Sequence, residues 1–457
     1  MKYCIFMENN DIKDILHKLN IAELSEMQQT VYDEIVNKRN LAILSPTGSG
    51  KTLAFLLPLL KRLKPNPRPN EWPQAVVVSP SRELTQQIED VFKRMKTSFS
   101  SMALCGGRSA MDAARVLKEI KPAVVFATPG RLNDHLKRKD FDPGIPTILV
   151  VDEFDKCLEL GFKKEMDSLV KEFKFIKQTI FTSATHPNTE TFETDSLLLN
   201  RFQQSLLLDF CVTQNELVNK TIEWNVVHSP SNDKLETLAA LLSHLKGEPT
   251  IVFVSHRESV DRVSAYLRQL KFSCSKYHGG MEQENREREV YSFRAGSTNI
   301  LIATDLAARG LDIPEVRSIV HYHLPLNHEV FVHRCGRTAR WDADGKVFTI
   351  VNPKEQLPDF YPNICVDIDI NLTCVAPTQP TFTSIYLSKG KKDKISKMDI
   401  VGFLCKKGGL TMPDIGRIDI DKYHSFAAIK SQKVKRVLND IAGEKIKGQS
   451  VLIEIMR

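Results

Sequence analysis

Little in this 457-residue chain points to an export route or a stapled scaffold. Its nine cysteines are scattered, with no C-x-x-C pair. That argues against a disulfide framework and the common zinc sites, and fits a reducing compartment. No run of about 18 apolar residues occurs, so a membrane-spanning helix is not expected. The opening MKYCIFMENNDIKD lacks a signal-peptide layout, and a soluble cytoplasmic protein is the expectation. Overall charge is also unremarkable in size, +7, but it is unevenly placed. From Thr381 onward there are 16 basic and 8 acidic residues, whereas the remainder carries 47 and 48. A basic terminal segment points to a polyanion partner, most simply nucleic acid.

The stretch Leu41-Ala42-Ile43-Leu44-Ser45-Pro46-Thr47-Gly48-Ser49-Gly50-Lys51-Thr52 organises the rest. An apolar strand ends in a small turn, and an apolar helix follows. Such a loop cradles phosphates with backbone N–H groups and the helix N-terminus. Lys51 can reach the outer phosphates and the Thr52 hydroxyl can hold Mg²⁺. Ser45 stands where such loops usually have their first glycine. Upstream, two helical segments flank Gln28, whose amide can pair with an adenine edge. Downstream, short apolar strands alternate with helices, as in a parallel α/β sheet. Each strand ends in a polar cluster: Pro80-Ser81-Arg82, Gly106-Gly107-Arg108, Thr128-Pro129-Gly130-Arg131, Asp152-Glu153-Phe154-Asp155 and Thr182-Ser183-Ala184-Thr185. Open α/β sheets place ligands at those strand ends. Asp152 can hold Mg²⁺ there, and Glu153 can orient and deprotonate an attacking water.

Polar sequence at 211–219 reads as a linker. A second α/β run follows, with His278-Gly279, Thr304-Asp305 and His333-Arg334-Cys335-Gly336-Arg337-Thr338-Ala339-Arg340 after its strands. It has no phosphate loop of its own. Arg337 and Arg340, three apart, are expected on one side of a helix, as guanidinium fingers for a transferring phosphoryl.

These clusters, in this order, resemble the motif set of the DEAD-box ATP-dependent RNA helicases of superfamily two, over roughly residues 10–355. The resemblance implies two tandem RecA-like parallel-sheet domains, at 1–210 and 220–372. It implies an RNA-dependent ATPase that binds ATP and Mg²⁺ and locally unwinds RNA, with no membrane partner and as a monomer. Gln28, Thr47, Gly48, Ser49, Gly50, Lys51, Thr52, Asp152 and Asp305 would hold nucleotide, with Thr52 and Asp152 on the metal. Lys51, Glu153, Arg337 and Arg340 would be catalytic. Asp155, Ser183, Thr185 and His333 would couple hydrolysis to strand separation. Arg82, Gly107, Thr128, Arg131, Gln283, Arg286 and Thr304 would contact RNA. ATP and single-stranded RNA would each favour closure of the two domains. Several residues depart from the family: Phe154 replaces alanine in the D-E-x-D cluster, Asn20 a glycine, Leu24 a proline and Ser81 a threonine. A large ring at Phe154 could impair turnover, leaving an ATP-gated RNA clamp as the alternative. Tyr3 and Phe6 are candidates for stacking on adenine.

After a linker at 373–380, residues 381–457 read as strand, helix, strand, strand, helix, strand, the βαββαβ plan of RNA-recognition modules. Tyr386 and Phe426 are the candidate base-stacking aromatics. Lys391, Lys392 and Lys394 form a basic loop suited to phosphates. The stretches SKGKKDKI, GLTMPDIGRIDI and GEKIKGQSV resemble the C-terminal RNA-binding domain of DbpA-type helicases. That resemblance implies a small α+β RRM-like domain, a 23S-type ribosomal RNA target and work in large-subunit assembly.

Overall fold

The computed structural model describes residues 9–37, 39–46, 48–65, 71–106, 109–187, 196–211, 222–305, 316–338, 345–373 and 375–456. The chain divides into two compact units, one built from residues 1–220 and one holding most of the chain from 221 onward. In the first unit, seven strands form one sheet: β1 (Leu41–Leu44), β2 (Ala75–Val78), β3 (Ser101–Leu104), β4 (Val124–Ala127), β5 (Ile148–Val151), β6 (Gln178–Ser183) and β7 (Leu206–Asp209). Their order is β3-β4-β2-β5-β6-β1-β7, with every pairing parallel. The strands β1, β2, β4, β5 and β6 are buried along their whole length. This explains why they read as continuous apolar runs rather than alternating ones.

The second unit opens with another seven-stranded sheet: β8 (Ile222–His228), β9 (Thr250–Val254), β10 (Cys274–Tyr277), β11 (Ile300–Thr304), β12 (Ser318–His321), β13 (Gly345–Val351) and β14 (Val366–Asp367). Its order is β10-β11-β9-β12-β13-β8-β14, also parallel throughout. Counted from its first strand, this order repeats that of the first sheet. The short edge strand β14 was not expected from the sequence.

The last part holds an antiparallel sheet of β15 (Phe382–Leu387), β16 (Ile415–Ile420), β17 (Ser425–Lys430) and, after a small hairpin of β18 (Lys445–Ile446) and β19 (Gln449–Ser450), β20 (Ile453–Ile455). Strand order is β16-β17-β15-β20. Helices Lys397–Lys406 and Val434–Asp440 supply Phe403, Leu404 and Val437 to the core under one face. The opposite face does not meet solvent at its centre. It lies on helix Gln283–Arg294 of the second parallel sheet's domain, where Tyr291, Ala295, Phe426 and Ala428 form one buried cluster. The Tyr291 and Phe426 rings are 4.9 Å apart, and the Tyr291 hydroxyl donates to the Arg417 carbonyl at 2.5 Å. The hydroxyls of Ser297 and Ser384 meet at 2.7 Å.

Two substitutions relative to the family motif find their explanation in local geometry. Asn20 has φ +58°, a left-handed conformation that asparagine tolerates better than most residues. Phe154 is fully buried, with its ring 4.9 Å from Phe181 and 5.0 Å from Phe202. The ring therefore fills the core on one side of the sheet. The ring is packed into the core against Phe181 and Phe202.

At the end of β12 lie two imidazoles that burial keeps neutral. His321 is pushed well below its ordinary pKa, and His323 down to about 4, with the nearby Lys234 ammonium adding to the effect. The His323 Nδ1 accepts from the Ser255 N–H at 3.0 Å.

Phe154→Ala should lower the unfolding free energy by about 3–5 kcal/mol through cavity formation, read from urea melts; a loss below about 1 kcal/mol would contradict the buried ring. An unfolded histidine takes up its proton near pH 6.5, but folded His323 resists until about pH 4. Stability should therefore fall as pH drops through that window. His323→Asn keeps an acceptor for Ser255 without the titration, so its melts at pH 7 and pH 5 should differ less than those of the unchanged chain. Equal losses in both would rule the imidazole out.

Candidate active site

Parallel register brings the strand ends of the first sheet together. Leu44 of β1 lies opposite Ser183 of β6, and Val151 of β5 lies opposite Phe181 of β6 and Val78 of β2. The loop after β1, the acidic pair after β5 and the hydroxyl cluster ending β6 thus emerge side by side.

Lys51 starts helix Lys51–Arg62, and Gly50 is the residue before it, with φ +87°. A Cβ on Gly50 would sit 2.4 Å from the Gln28 amide nitrogen, so the loop needs glycine here both for its backbone and for space. The Gln28 side chain donates to the Gly50 carbonyl at 3.2 Å and accepts from the Ser25 N–H at 3.0 Å in a capping box. It is buried, not the exposed helix-start residue that its position alone would allow. The Lys51 ammonium donates to the carbonyls of Ser45 and, at 2.8 Å, Pro46. Burial lowers its pKa, against the pull of Asp152, Glu153 and Asp155. Nearby, the Ser45 and Ser49 hydroxyls are buried without a hydrogen-bond partner among the described residues. Buried donors and a cation around a left-handed glycine fit an anionic group such as a phosphate. Thr52 is half-buried in the first helical turn.

Asp152 is buried, which raises its pKa, while a hydrogen bond from the Thr182 hydroxyl opposes the rise. The same Thr182 oxygen accepts from the Glu153 N–H at 3.2 Å. Glu153 itself has φ +48°, a sparsely populated conformation for a non-glycine residue. Thr182 therefore ties both carboxylate residues to β6. The sequence reading passed over it; its signal was a hydroxyl immediately before Ser183-Ala184-Thr185 on a strand beside the acidic pair. From that same cluster the Thr185 hydroxyl donates to Asp155 Oδ2 at 2.9 Å, and the Ser183 hydroxyl to the Thr185 carbonyl at 2.5 Å. Three of the four expected coupling residues are thus directly linked.

In the second unit, Thr304 ends β11 and is buried. Asp305 is clasped in bidentate fashion by Arg334, through Nε at 2.5 Å and Nη2 at 2.9 Å. The Arg334 guanidinium also donates to the His323 carbonyl and lies 5.2 Å from the Phe253 ring centre. Arg334 was not singled out beforehand, and it is the residue that anchors the Asp305 carboxylate. The expectation of a shared helix face for Arg337 and Arg340 is corrected: helix His328–Cys335 stops at Gly336 and Arg337 lies in the turn beyond. Arg337 is buried, as is His333 within the helix. Arg340, Thr47 and Gly107 lie outside the described residues, as do Tyr3 and Phe6.

Of the expected RNA contacts, Arg82 begins helix Arg82–Arg94, capped by the Ser81 hydroxyl. Its guanidinium lies where a Cβ on Gly106 would be, 2.4 Å away. The glycine thus makes room for the arginine, joining two motifs. Thr128 and Arg131 are half-buried at the start of helix Pro129–Lys137. Gln283 and Arg286 occupy the first turn of helix Gln283–Arg294, with Gln283 donating to Glu287 at 3.1 Å. Lys391, Lys392 and Lys394 are exposed. Tyr386 and Phe426 are not available as an open stacking face. Phe426 is 5% exposed under Tyr291, and the Arg288 guanidinium lies 4.6 Å from the Tyr386 ring centre. Among the described residues no helix is long and apolar enough to cross a membrane.

Comparison with known proteins accounts for the same three segments. Residues 25–192 match the DEAD/DEAH box helicase family, residues 233–342 the helicase conserved C-terminal domain, and residues 384–455 the DbpA RNA binding domain. The ATP-dependent RNA helicase DbpA of Bacillus subtilis is 30% identical, with 97% of each chain covered. The Escherichia coli protein of that name is 29% identical over 97% of this chain and 96% of its own. Among solved structures, Saccharomyces cerevisiae Dbp5 bound to RNA and ADP BeF3 aligns with a TM-score of 0.64 at 26% identity, covering 76% of this chain and 89% of that one. The phosphate loop, the paired carboxylates beside it and the three matched segments in this order establish that the chain belongs to the DEAD-box ATP-dependent RNA helicases.

Proposed function

We propose that this helicase remodels structured ribosomal RNA, of the 23S type, during large-subunit assembly. In this reading it acts as a cytoplasmic monomer. Residues 1–210 form the nucleotide-binding domain and 220–372 the second helicase domain. Residues 381–457 supply the address, with linkers at 211–219 and 373–380. The observation that carries the enzymatic part is the strand-end edge where the Ser45 N–H of Lys51's loop bonds the Ser183 carbonyl, Thr182 ties Asp152 and Glu153, and Thr185 holds Asp155. The address rests on the DbpA-type segment and its exposed lysines.

In the proposed cycle, Gln28 selects adenine, and the residues from Thr47 to Thr52 hold the phosphates. Thr52 and Asp152 would hold Mg²⁺, which supplies neutralisation of charge on the phosphate oxygens. Glu153 orients and deprotonates the attacking water, its backbone fixed by Thr182. Arg337 and Arg340 stabilise the charge of the transferring phosphoryl. Asp305 contributes to the nucleotide site. Arg82, Gly107, Thr128, Arg131, Gln283, Arg286 and Thr304 grip the RNA backbone. Asp155, Ser183, Thr185 and His333 transmit the nucleotide state to that grip. ATP and RNA binding are then mutually reinforcing by linkage.

ATPase activity measured against a panel of ribosomal fragments, unrelated RNAs and matching DNA tests the whole reading. Ribosomal fragments should stimulate most and DNA least; equal stimulation by every nucleic acid would refute the address. Glu153→Gln should abolish turnover while RNA binding persists, and wild-type turnover would remove its role. Thr182→Val should lower kcat by about ten-fold or more, the order of effect of a misplaced catalytic group, with little change in the melting curve.

A further inference from the structure

Helix Gln283–Arg294 and the terminal domain share more than the buried rings of Tyr291 and Phe426. Three side chains with metal-binding chemistry converge where they meet. Glu287 comes from the helix, and Asp421 and His424 from the turn between β16 and β17. Their donor atoms, one from each residue, lie within 4.8 Å of one another. The His424 Nε2 is buried with no hydrogen-bond partner among the described residues. Asp421 Oδ2 lies 3.9 Å from it. That separation is too long for a hydrogen bond. Two ligands each about 2.0–2.2 Å from one ion, however, stand about 3–4 Å apart.

Each of the three groups is oriented by its surroundings. Asp421 Oδ1 accepts from the Lys422 N–H at 2.7 Å, and Oδ2 is the oxygen toward the imidazole. Glu287 Oε1 accepts from the Gln283 amide at 3.1 Å, among other contacts. Carboxylates that ligate metals ordinarily keep such outer hydrogen bonds, which fix their direction. The His424 ring is stacked on Tyr386 at 5.6 Å and meets Phe426 edge-on at 4.8 Å. The Asp421 N–H closes the turn on the His424 carbonyl at 2.9 Å. The donors thus sit on a hairpin turn and a helix that are already packed together.

We propose that Glu287, Asp421 and His424 form a divalent-metal site that joins the terminal domain to the second helicase domain. An imidazole with two carboxylates suits zinc and similar first-row ions, whereas magnesium and calcium prefer oxygen ligands alone. Three protein ligands leave a fourth position for water. The ion pins the β16–β17 turn to the helix that carries Gln283 and Arg286, one turn from Gln283.

The test is calorimetric titration of zinc ion into the full, nucleotide-free chain, with hydrogen exchange followed at residues 283–294 and 421–424. The variants are Glu287→Gln, Asp421→Asn and His424→Gln. The first two keep their shape and an acceptor oxygen for Gln283 and Lys422. The unchanged chain should take up a zinc ion whose affinity falls about ten-fold or more in each variant. Zinc should slow exchange in both segments of the unchanged chain and in neither segment of the variants. Equal affinity in all three variants puts the ion on other side chains and overturns the site. Undiminished binding by Glu287→Gln alone, or slowed exchange in the turn but not in the helix, overturns the bridge between the domains. A chain that takes up no zinc overturns both.

Discussion

The first unit depends on one buried cation. Lys51 is enclosed at the ends of buried strands, where desolvation penalises its charge. Carbonyls of its own loop hold the ammonium, and three carboxylates lie within electrostatic reach. An isolated ammonium could not remain charged in such a place. The acidic residues can oppose its desolvation only because β6 runs beside β1, and β5 beside β6, in fixed register. The sheet's order is thus part of the electrostatics of the site.

The second sheet makes the point by contrast. It repeats the strand order, and a lysine again follows its first strand: Lys234, after β8. That ammonium is fully engaged by the carbonyls of Tyr322, at 3.0 Å, and Ile350, at 2.7 Å, together with the Glu355 carboxylate. With no glycine-containing loop of its own to hold it, as Ser45 and Pro46 hold Lys51, the cation becomes a core strut. The same topology holds one ammonium on the carbonyls of its own loop beside three carboxylates, and the other on carbonyls at the ends of two neighbouring strands as an internal brace.

Much of this was legible because the buried strands are uninterrupted apolar runs and the motifs sit directly after them. Leu41–Leu44, Ala75–Val78 and Thr250–Val254 were readable to the residue for that reason. Other features depend on partners far away in sequence. Thr182 acts through Asp152 and Glu153, thirty residues before it, and Arg334 through Asp305. Phe154 could be placed only once the left-handed Glu153 was seen to start helix Phe154–Glu159, whose ring then joins Phe181 and Phe202. The spacing of Arg337 and Arg340 was compatible with a helix, and no local pattern announced that it would end at Gly336. The covered sheet face was least visible of all. Tyr386 and Phe426 have the residue types of a stacking surface, and only the contacts with Arg288 and Tyr291 exclude it.

Those last contacts carry a consequence for modularity. A tail joined by a slack tether could be exchanged for another without repair. Here Tyr291 and Ala295 are sealed by Phe426 and Ala428, and Ser297 is matched to Ser384. Removing or swapping the terminal domain would strip an oily patch bare on helix Gln283–Arg294, the same helix that bears Gln283 and Arg286. Grafts between relatives would therefore succeed only when both sides of that seam are transplanted together.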